Sequence, residues 1–178
     1  MPLVKGGEIV ADRYLRIVDD APVPASGAVL VPAERLLADP AAFAARQAET
    51  GVIWPNNRDI DELAPHLDGL SLVALVFPKF QDGRAYSQAR ILRERLGFRG
   101  ELRATGQVLR DQFVFMLRAG FDSLEVKKEA DAQVFGAVTK RYSVFYQPTG
   151  DGRLTAFRKR LEGFVAREPE HALKGAGR

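Results

Sequence analysis

The sequence contains no cysteine, and this absence excludes several chemistries at once. Disulfides, a thiolate nucleophile, zinc bound by cysteine and an iron–sulfur cluster held by the chain's own thiolates all require that side chain. The two histidines, His66 and His171, belong to no metal-binding spacing such as His-Glu-x-x-His. The sequence therefore predicts no metal site. A redox role would require a cofactor, which the sequence does not identify.

Long apolar segments are also missing. The longest apolar stretch, residues 70–77, is interrupted by Ser71 and is far shorter than the roughly 20 residues that span a bilayer as a helix. The N-terminus has no basic segment followed by an apolar one, as a secretory signal would. No Gly-x-Gly-x-x-Gly, Walker-type or Gly-x-Ser-x-Gly motif is present. We therefore expect a cytoplasmic protein with no membrane partner and without a glycine-rich nucleotide-binding loop.

A chain of 178 residues with 46% hydrophobic and 28% charged residues is typical of a single soluble domain. Its net charge of +3 is unevenly distributed, with a net −5 in residues 1–77, +5 in residues 78–128 and +3 in residues 129–178. A basic middle segment suits an anionic ligand or an acidic protein, and equally the solvated faces of arginine-rich helices. Nucleic acid is not an expected partner, because the segment lacks interleaved aromatic residues and recognition-module motifs.

Short apolar runs alternate with amphipathic helical patterns along most of the chain. Residues 1–18 predict a β-hairpin with a Gly6-Gly7 turn, and residues 28–147 predict a succession of βα units. The expected fold class is α/β, with a mainly parallel sheet that is open or half-barrel-like. We expect one domain over residues 1–165 and a flexible tail over residues 166–178.

The helix ends have recognisable signals. Asp39 and Pro40 are typical of a helix start, while Gly51, Gly97 and Gly120 each precede an apolar residue, as is common just after a helix. Apolar residues at helical spacing predict further helices over residues 85–96, 107–119 and 131–141, and a last strand is expected over residues 143–146.

The most informative stretch begins where the apolar run ends at Phe77 and a polar, charged loop leads into a helix. In open α/β sheets, ligands bind beyond the carboxyl ends of the strands, and helix N-termini with nearby cations attract anions. Four strand-end loops are expected at one rim, over residues 55–58, 78–84, 105–106 and 127–128. The groups predicted to bind a small anion there are Lys79, Asp82, Gly83, Arg84, Ser87, Arg103 and Gly106.

Simpler interpretations exist for the same residues. Asp82 and Gly83 can form an ordinary turn in which Asp82 pairs with Arg84. The candidate acids or bases are Asp82, Asp111 and Glu125, but Asp111 is equally suited to a solvated helix face and Glu125 to an inward position paired with Arg103. Their spacing does not bring two carboxylates together, so the sequence leaves open whether the protein is an enzyme.

Several charged and glycine-containing motifs, in their order and spacing, resemble the bacterial family called domain of unknown function 934. The resemblance extends over roughly residues 52–125. The motifs are Phe77-Pro78-Lys79-Phe80, Asp82-Gly83-Arg84-Ala85-Tyr86-Ser87, Gly100-Glu101-Leu102-Arg103-Ala104, Val108-Leu109-Arg110-Asp111-Gln112 and Gly120-Phe121-Asp122.

The resemblance implies a bacterial protein of assimilatory sulfite reduction, since members of that family are encoded beside sulfite reductase and labelled as oxidoreductases. Without cysteine or a nucleotide fingerprint, an accessory role suits this chain better. We expect residues 79–84 to bind sulfite, another small anion or sulfite reductase itself. One alternative is an enzyme acting on a small phosphorylated or carboxylated metabolite. Another is a pure binding module that docks on an acidic partner.

Overall fold

The computed structural model describes residues 1–18, 20–135, 137, 145–146, 149 and 155–165, with the backbone alone for residues 162–165. The first half of the predicted strand over residues 143–146, the end of the predicted helix over residues 131–141, and the tail of residues 166–178 lie outside these ranges. In the part of the chain described, no helix is both long and apolar enough to cross a membrane.

Eight strands of the described residues form one sheet, which curls into a half-barrel. Their order across the sheet is β2-β1-β8-β7-β6-β5-β4-β3. The curl brings Arg16 of β3 to Glu125 of β8, although four strands lie between them, with 2.8 Å between Nη2 and Oε1. The strands are β1 (Leu3–Lys5), β2 (Glu8–Val10), β3 (Leu15–Arg16), β4 (Val29–Pro32), β5 (Thr50–Trp54), β6 (Leu72–Phe77), β7 (Glu101–Gly106) and β8 (Ser123–Glu125).

The sheet is mixed, which corrects the expectation of a mainly parallel sheet. Strands β3 to β8 pair in parallel, whereas β1 pairs antiparallel with both β2 and β8. The predicted N-terminal hairpin is present, and it is part of the same sheet as the other strands. Val4 lies opposite Leu124, so the hairpin extends the sheet beyond β8 with reversed strand direction.

Helices cover the outer face of the sheet, where outward-pointing strand residues such as Val52, Leu75 and Leu102 are fully buried against Ala89 and Met116. The opposite, inner face is lined partly by a smaller apolar cluster that includes Tyr14 and Leu72. The helices are α1 (Ala33–Ala38), α2 (Pro40–Ala44), α3 (Arg84–Arg90), α4 (Phe113–Ala119), α5 (Glu129–Gln133) and α6 (Ala156–Val165), with 3-10 turns at Ile60–Gly69 and Arg110–Gln112 and a π turn at Ile91–Arg95.

The helix signals of the sequence have mixed outcomes. Asp39 caps α2 by accepting a hydrogen bond from the backbone N–H of Ala42, and Pro40 takes the first helical position, as predicted. Gly51, however, does not end that helix, because it lies within β5. A Cβ atom on Gly51 would lie 2.9 Å from Cβ of Leu72. The glycine therefore serves close packing between β5 and β6 rather than a helix end.

The side chain of Arg93, in the π turn after α3, fastens that helix to the amino ends of two strands. Its guanidinium donates to the carbonyl oxygens of Phe98, Gly100 and Gly120 at 2.7–3.0 Å and to the carboxylate of Asp122. In a half-barrel of parallel strands, this edge lies opposite the one where ligands bind. Two motifs of the family resemblance, Gly100-Glu101-Leu102-Arg103-Ala104 and Gly120-Phe121-Asp122, thus supply partners of Arg93.

Replacing Arg93 with alanine is expected to lower the free energy of unfolding by about 2–4 kcal/mol, because charge-assisted bonds to partly buried groups are lost together. Urea denaturation measures the effect. The control is Arg90→Ala, which removes an exposed pair with Glu94 and is expected to cost only about 0.3–0.5 kcal/mol. Equal losses in the two variants would contradict this role for Arg93.

Candidate functional site

The loops that follow β5, β6, β7 and β8 lie at one edge of the sheet, because these strands are parallel neighbours. Gln112 donates from Nε2 to the carbonyl oxygen of Phe80 at 3.0 Å, and Lys127 donates from Nζ to Oε1 of Gln107 at 2.6 Å. These hydrogen bonds join loops that are distant in sequence. The loops form one surface, called here the strand-end rim, over residues 55–58, 78–84, 107–112 and 126–128.

In the loop after β6, the guanidinium of Arg84 is occupied by Asp82. Nε and Nη2 of Arg84 donate to the two carboxylate oxygens at 2.9 and 2.6 Å. Hydrogen bonds from Arg84 hold the pKa of Asp82 far below its usual value. Asp82 in turn raises the pKa of Arg84. This matches the simpler interpretation of the loop and leaves the pair without net charge.

Lys79 and Phe80 form the tip of the same loop, and both are exposed. No carboxylate within the described ranges approaches Nζ of Lys79 to salt-bridge distance. Phe80 is 53% exposed. Phe115 of α4, one helical turn after Gln112, is 64% exposed. We call Lys79, Phe80, Gln112 and Phe115 the strand-end patch.

Arg103 does not lie on the strand-end rim, contrary to the sequence-based prediction. It sits within β7 on the inner face of the sheet and is 1% exposed. Its guanidinium lies 2.7 Å from Asp12, 3.0 Å from Glu101 and 3.5 Å from Glu125. Burial lowers the pKa of Arg103, but the hydrogen bond and charge of Asp12 and those of Glu101 outweigh it and raise the pKa overall. The guanidinium stays charged.

Gly106 does not begin a helix, so its amide is not the predicted anion donor. The next helical turn starts only at Arg110. Gly106 has a φ of 94°, and a Cβ atom there would lie 2.5 Å from the carbonyl oxygen of Phe77. The same oxygen accepts a hydrogen bond from the N–H of Gln107 at 2.8 Å. The glycine is therefore required by a close backbone crossing at the end of β7.

Gly83 and Ser87 keep the positions that the sequence indicated. Gly83 precedes α3 as its N-cap residue, and Ser87 is exposed in the first turns of that helix. The first backbone N–H of the helix, from Arg84, points to the carboxylate of Asp82 at 3.3 Å. Asp82 thus caps the helix start with its side chain while it pairs with Arg84.

The three candidate acids or bases lie in separate surroundings. Asp82 is held by Arg84, and Asp111 is exposed in the 3-10 turn before α4. Burial, together with the negative charge of Asp111, raises the pKa of Tyr86 to about 12, so this phenol stays protonated at neutral pH. Glu125 is buried on the inner face. No hydrogen bond or ion pair joins any two of the three carboxylates in the part of the structure described here.

An ion network lies on the inner face, and the sequence indicated only one part of it, the inward Glu125 near Arg103. Glu101 accepts hydrogen bonds from Lys5 and Ser123 at 2.6 Å each, and also pairs with Arg103. Burial raises the pKa of Glu101, but the bonds from Lys5 and Ser123 and the charge of Arg103 outweigh it and lower the pKa overall. The polar–apolar alternation in β7 was the available signal, since it indicates one polar face on a strand.

Two cavities lie away from the strand-end rim. One of about 490 Å³ lies beside α1 and α2, next to Arg35 and Arg46. Another of about 540 Å³ lies beside Arg93, Arg99 and Asp122 at the opposite edge of the sheet. Among the residues that the structure places, no group of three or more histidines or carboxylates is arranged to hold a metal ion.

Comparison with known proteins agrees with the motifs found in the sequence. A family model described as a bacterial protein of unknown function (DUF934) matches residues 51–157. A search of curated proteins found no match to the chain. The matched segment contains the strand-end patch and Arg103, whereas Asp12 lies before it. Because the segment covers more than half of the 178 residues, the chain belongs to the DUF934 family of bacterial proteins of unknown function.

Proposed function

We propose that this protein is a cytoplasmic accessory component of assimilatory sulfite reduction and that it docks on sulfite reductase through the strand-end patch. The link with sulfite reduction is supported by what the family resemblance implies. The docking mode is supported by one observation above all, the exposure of Lys79 and Phe80 together at the tip of the loop after β6.

Docking on a protein suits this loop better than capture of a small anion. Of the cations expected on the rim, Arg84 is engaged by Asp82, and Arg103 lies inside the sheet. Lys79 has Phe80 beside it, and the backbone of Phe80 is held by Gln112. Exposed aromatic rings beside a cation are typical of protein interfaces, where aromatic anchors contribute most of the binding energy.

Electrostatics support an acidic partner. Within the patch, Lys79 is exposed and has no carboxylate at salt-bridge distance among the residues described, whereas Arg84 and Arg103 of the same basic segment are paired. Attraction between a positive surface on one protein and a negative surface on its partner speeds their encounter and orients them for docking. Salt weakens this attraction at separations near the Debye length. The alternative of an enzyme acting on a small phosphorylated or carboxylated metabolite has less support, because its candidate bases Asp82, Asp111 and Glu125 lie in separate surroundings, with Asp82 and Glu125 each paired with an arginine.

The proposal predicts that Phe80→Ala and Lys79→Glu each weaken binding to purified sulfite reductase by about tenfold or more. Binding is measured by biosensor at low and at high salt, and wild-type affinity is expected to fall as salt rises. Both positions are exposed, so folding is expected to change by less than about 0.5 kcal/mol.

The matched control is Phe157→Ala on α6, which removes an aromatic ring that is not part of the strand-end patch, from a residue that is 66% exposed. This variant is expected to bind like the wild type. If wild-type protein shows no binding to sulfite reductase, or if both patch variants bind as tightly as Phe157→Ala, the docking proposal is wrong.

A further inference from the structure

The segment of residues 12–16, called here the strap, crosses the open side of the half-barrel. The strap leads from β2, at one edge of the sheet, to the other edge, where its last two residues form β3. Polar side chains of the strap fasten it to the rest of the sheet. Asp12 binds Arg103 at 2.7 Å, the hydroxyl of Tyr14 lies 2.8 Å from Oε2 of Glu49 and 3.1 Å from Oγ of Ser71, and Arg16 binds Glu125 at 2.8 Å. The strap thus covers the buried ion network.

The six charged side chains of the ion network, including two from the strap, carry no net charge together. The cations Lys5, Arg16 and Arg103 face the carboxylates Asp12, Glu101 and Glu125, three against three. Glu101 has Lys5 as a second cation, and Glu125 has Arg16. Asp12 has Arg103 as its only cation among the ion pairs of the described residues.

Asp12 differs from the other two carboxylates in how it is held. Glu101 and Glu125 lie on strands and are 9% and 6% exposed, whereas the side chain of Asp12 is 36% exposed on irregular backbone. Apart from Arg103, Asp12 accepts a hydrogen bond only from the N–H of Tyr14 in its own turn, at 3.1 Å, among the contacts described. Its carboxylate therefore reaches water by a side-chain rotation that leaves the sheet intact.

We propose that the carboxylate of Asp12 occupies an anion subsite at Arg103 and that a small monoanion, a carboxylate or an oxyanion, displaces it. Without Asp12, Arg103 keeps Glu101 and Glu125, but these carboxylates also pair with Lys5 and Arg16, so the network is left with one uncompensated positive charge. Such a charge is costly in a buried network, so Asp12 leaves only when another anion takes its place. One negative charge replaces another, which keeps the network neutral and favours a monoanion. The subsite lies on the inner face, apart from the strand-end patch, and does not depend on docking to sulfite reductase.

The contacts at the subsite explain its chemistry. Nη1 of Arg103, which holds Asp12, lies 3.5 Å from Glu125. Nη2 donates to Glu101 at 3.0 Å instead. The ring of Tyr14 lies 5.4 Å from the centre of the guanidinium of Arg103 and covers one side of it. The space for a ligand is thus that of one carboxylate group, which suits formate or acetate.

The test compares wild-type protein with Asp12→Ala in sodium acetate, with sodium chloride at matched ionic strength as the reference. Asp12→Ala is expected to unfold at a lower temperature than wild type and to regain stability with acetate in a saturable manner. Its half-maximal acetate concentration is expected to lie at least about tenfold below that of wild type, because no built-in carboxylate competes. In wild type, saturating acetate is expected to accelerate amide hydrogen exchange of residues 12–16.

Two further variants complete the experiment. Asp61→Ala removes an aspartate from an exposed pair with Arg95, and acetate should stabilise it no more than chloride does. Asp12→Asn removes the charge but keeps the side-chain shape, and it replaces Asp12→Ala if that variant does not fold. The proposal is overturned if acetate stabilises the Asp12 variant no more than Asp61→Ala, or if hydrogen exchange of the wild-type strap is unchanged in saturating acetate.

Discussion

Arg103→Met is expected to lower the free energy of unfolding by about 3–5 kcal/mol, because removing one partner of a buried ion network leaves uncompensated charges. Glu101 and Glu125 are 9% and 6% exposed, so water solvates them poorly once the guanidinium is gone. Methionine keeps most of the side-chain volume, which limits the contribution of a cavity. Urea denaturation at neutral pH measures the loss.

The control for this variant is Arg95→Met, which removes a guanidinium from the exposed pair with Asp61. Exposed pairs contribute about 0–1 kcal/mol. A loss of less than about 1 kcal/mol in Arg103→Met would show that the inner-face network is replaceable, as buried ion pairs sometimes are.

The stability lost in Arg103→Met is also expected to depend on pH, and the pKa of Glu101 sets the direction of that dependence. The pKa of Glu101 is lowered in the folded protein, so its contribution to stability is present above its unfolded value and is lost as pH falls through the folded value. Above an ordinary glutamate pKa of about 4.3 the carboxylate is charged and needs Arg103. Below its pKa in the folded protein, the carboxyl group of Glu101 is protonated and uncharged, so it does not need Arg103. The stability gap between wild type and Arg103→Met should therefore narrow between pH 7 and pH 3. A gap that widens in acid would contradict this role of Glu101.

Gly106→Ala is expected to lower the free energy of unfolding by about 3–5 kcal/mol, which is exceptional for the addition of one methyl group. The φ of 94° lies in a region that side chains disfavour, and the added Cβ would lie 2.5 Å from the carbonyl oxygen of Phe77. That oxygen belongs to the backbone of β6 and accepts the N–H of Gln107, so it cannot rotate away.

Gly97→Ala is the matched control for this prediction. Gly97 also has a positive φ, 67°, but no atom lies within 4 Å of the position that its Cβ would take. Only the conformational cost remains, about 1–2 kcal/mol. Thermal and urea denaturation of both variants separate the clash from the backbone cost. Equal losses in the two variants would show that Phe77 moves to accommodate the methyl group.

Local features of the fold could be predicted from the sequence because they depend on residues only a few positions apart. Asp39 caps α2 through a hydrogen bond to a residue three positions later. Gly120 ends α4 with a φ of 104°, as the glycine signal indicated. The loop of residues 78–84 was found as the end of an apolar run, and the pairing of Asp82 with Arg84 is a contact between near neighbours.

Errors arose where a residue's surroundings come from distant parts of the chain. Gly51 has the sequence pattern of a helix end, but contact with Leu72 on the next strand explains it. The hairpin was expected at the N-terminus, yet its pairing with β8 joins Leu3 to Glu125 and makes the sheet mixed. Neither relation leaves a local pattern in the sequence.

The sequence by itself determined the α/β class, the family and the charged loop after β6, since these follow from short-range periodicity and ordered motifs. Only the tertiary structure decided which charged side chains are exposed to a partner and which are buried in ion pairs. Alternation in β7 indicates that Glu101 and Arg103 share a face, but it does not say whether that face meets water or the interior. The curl of the sheet and the strap bury this face. Asp12 and Arg16 of the strap supply charges opposite to those of Arg103 and Glu125, from about 90–110 residues away in the sequence.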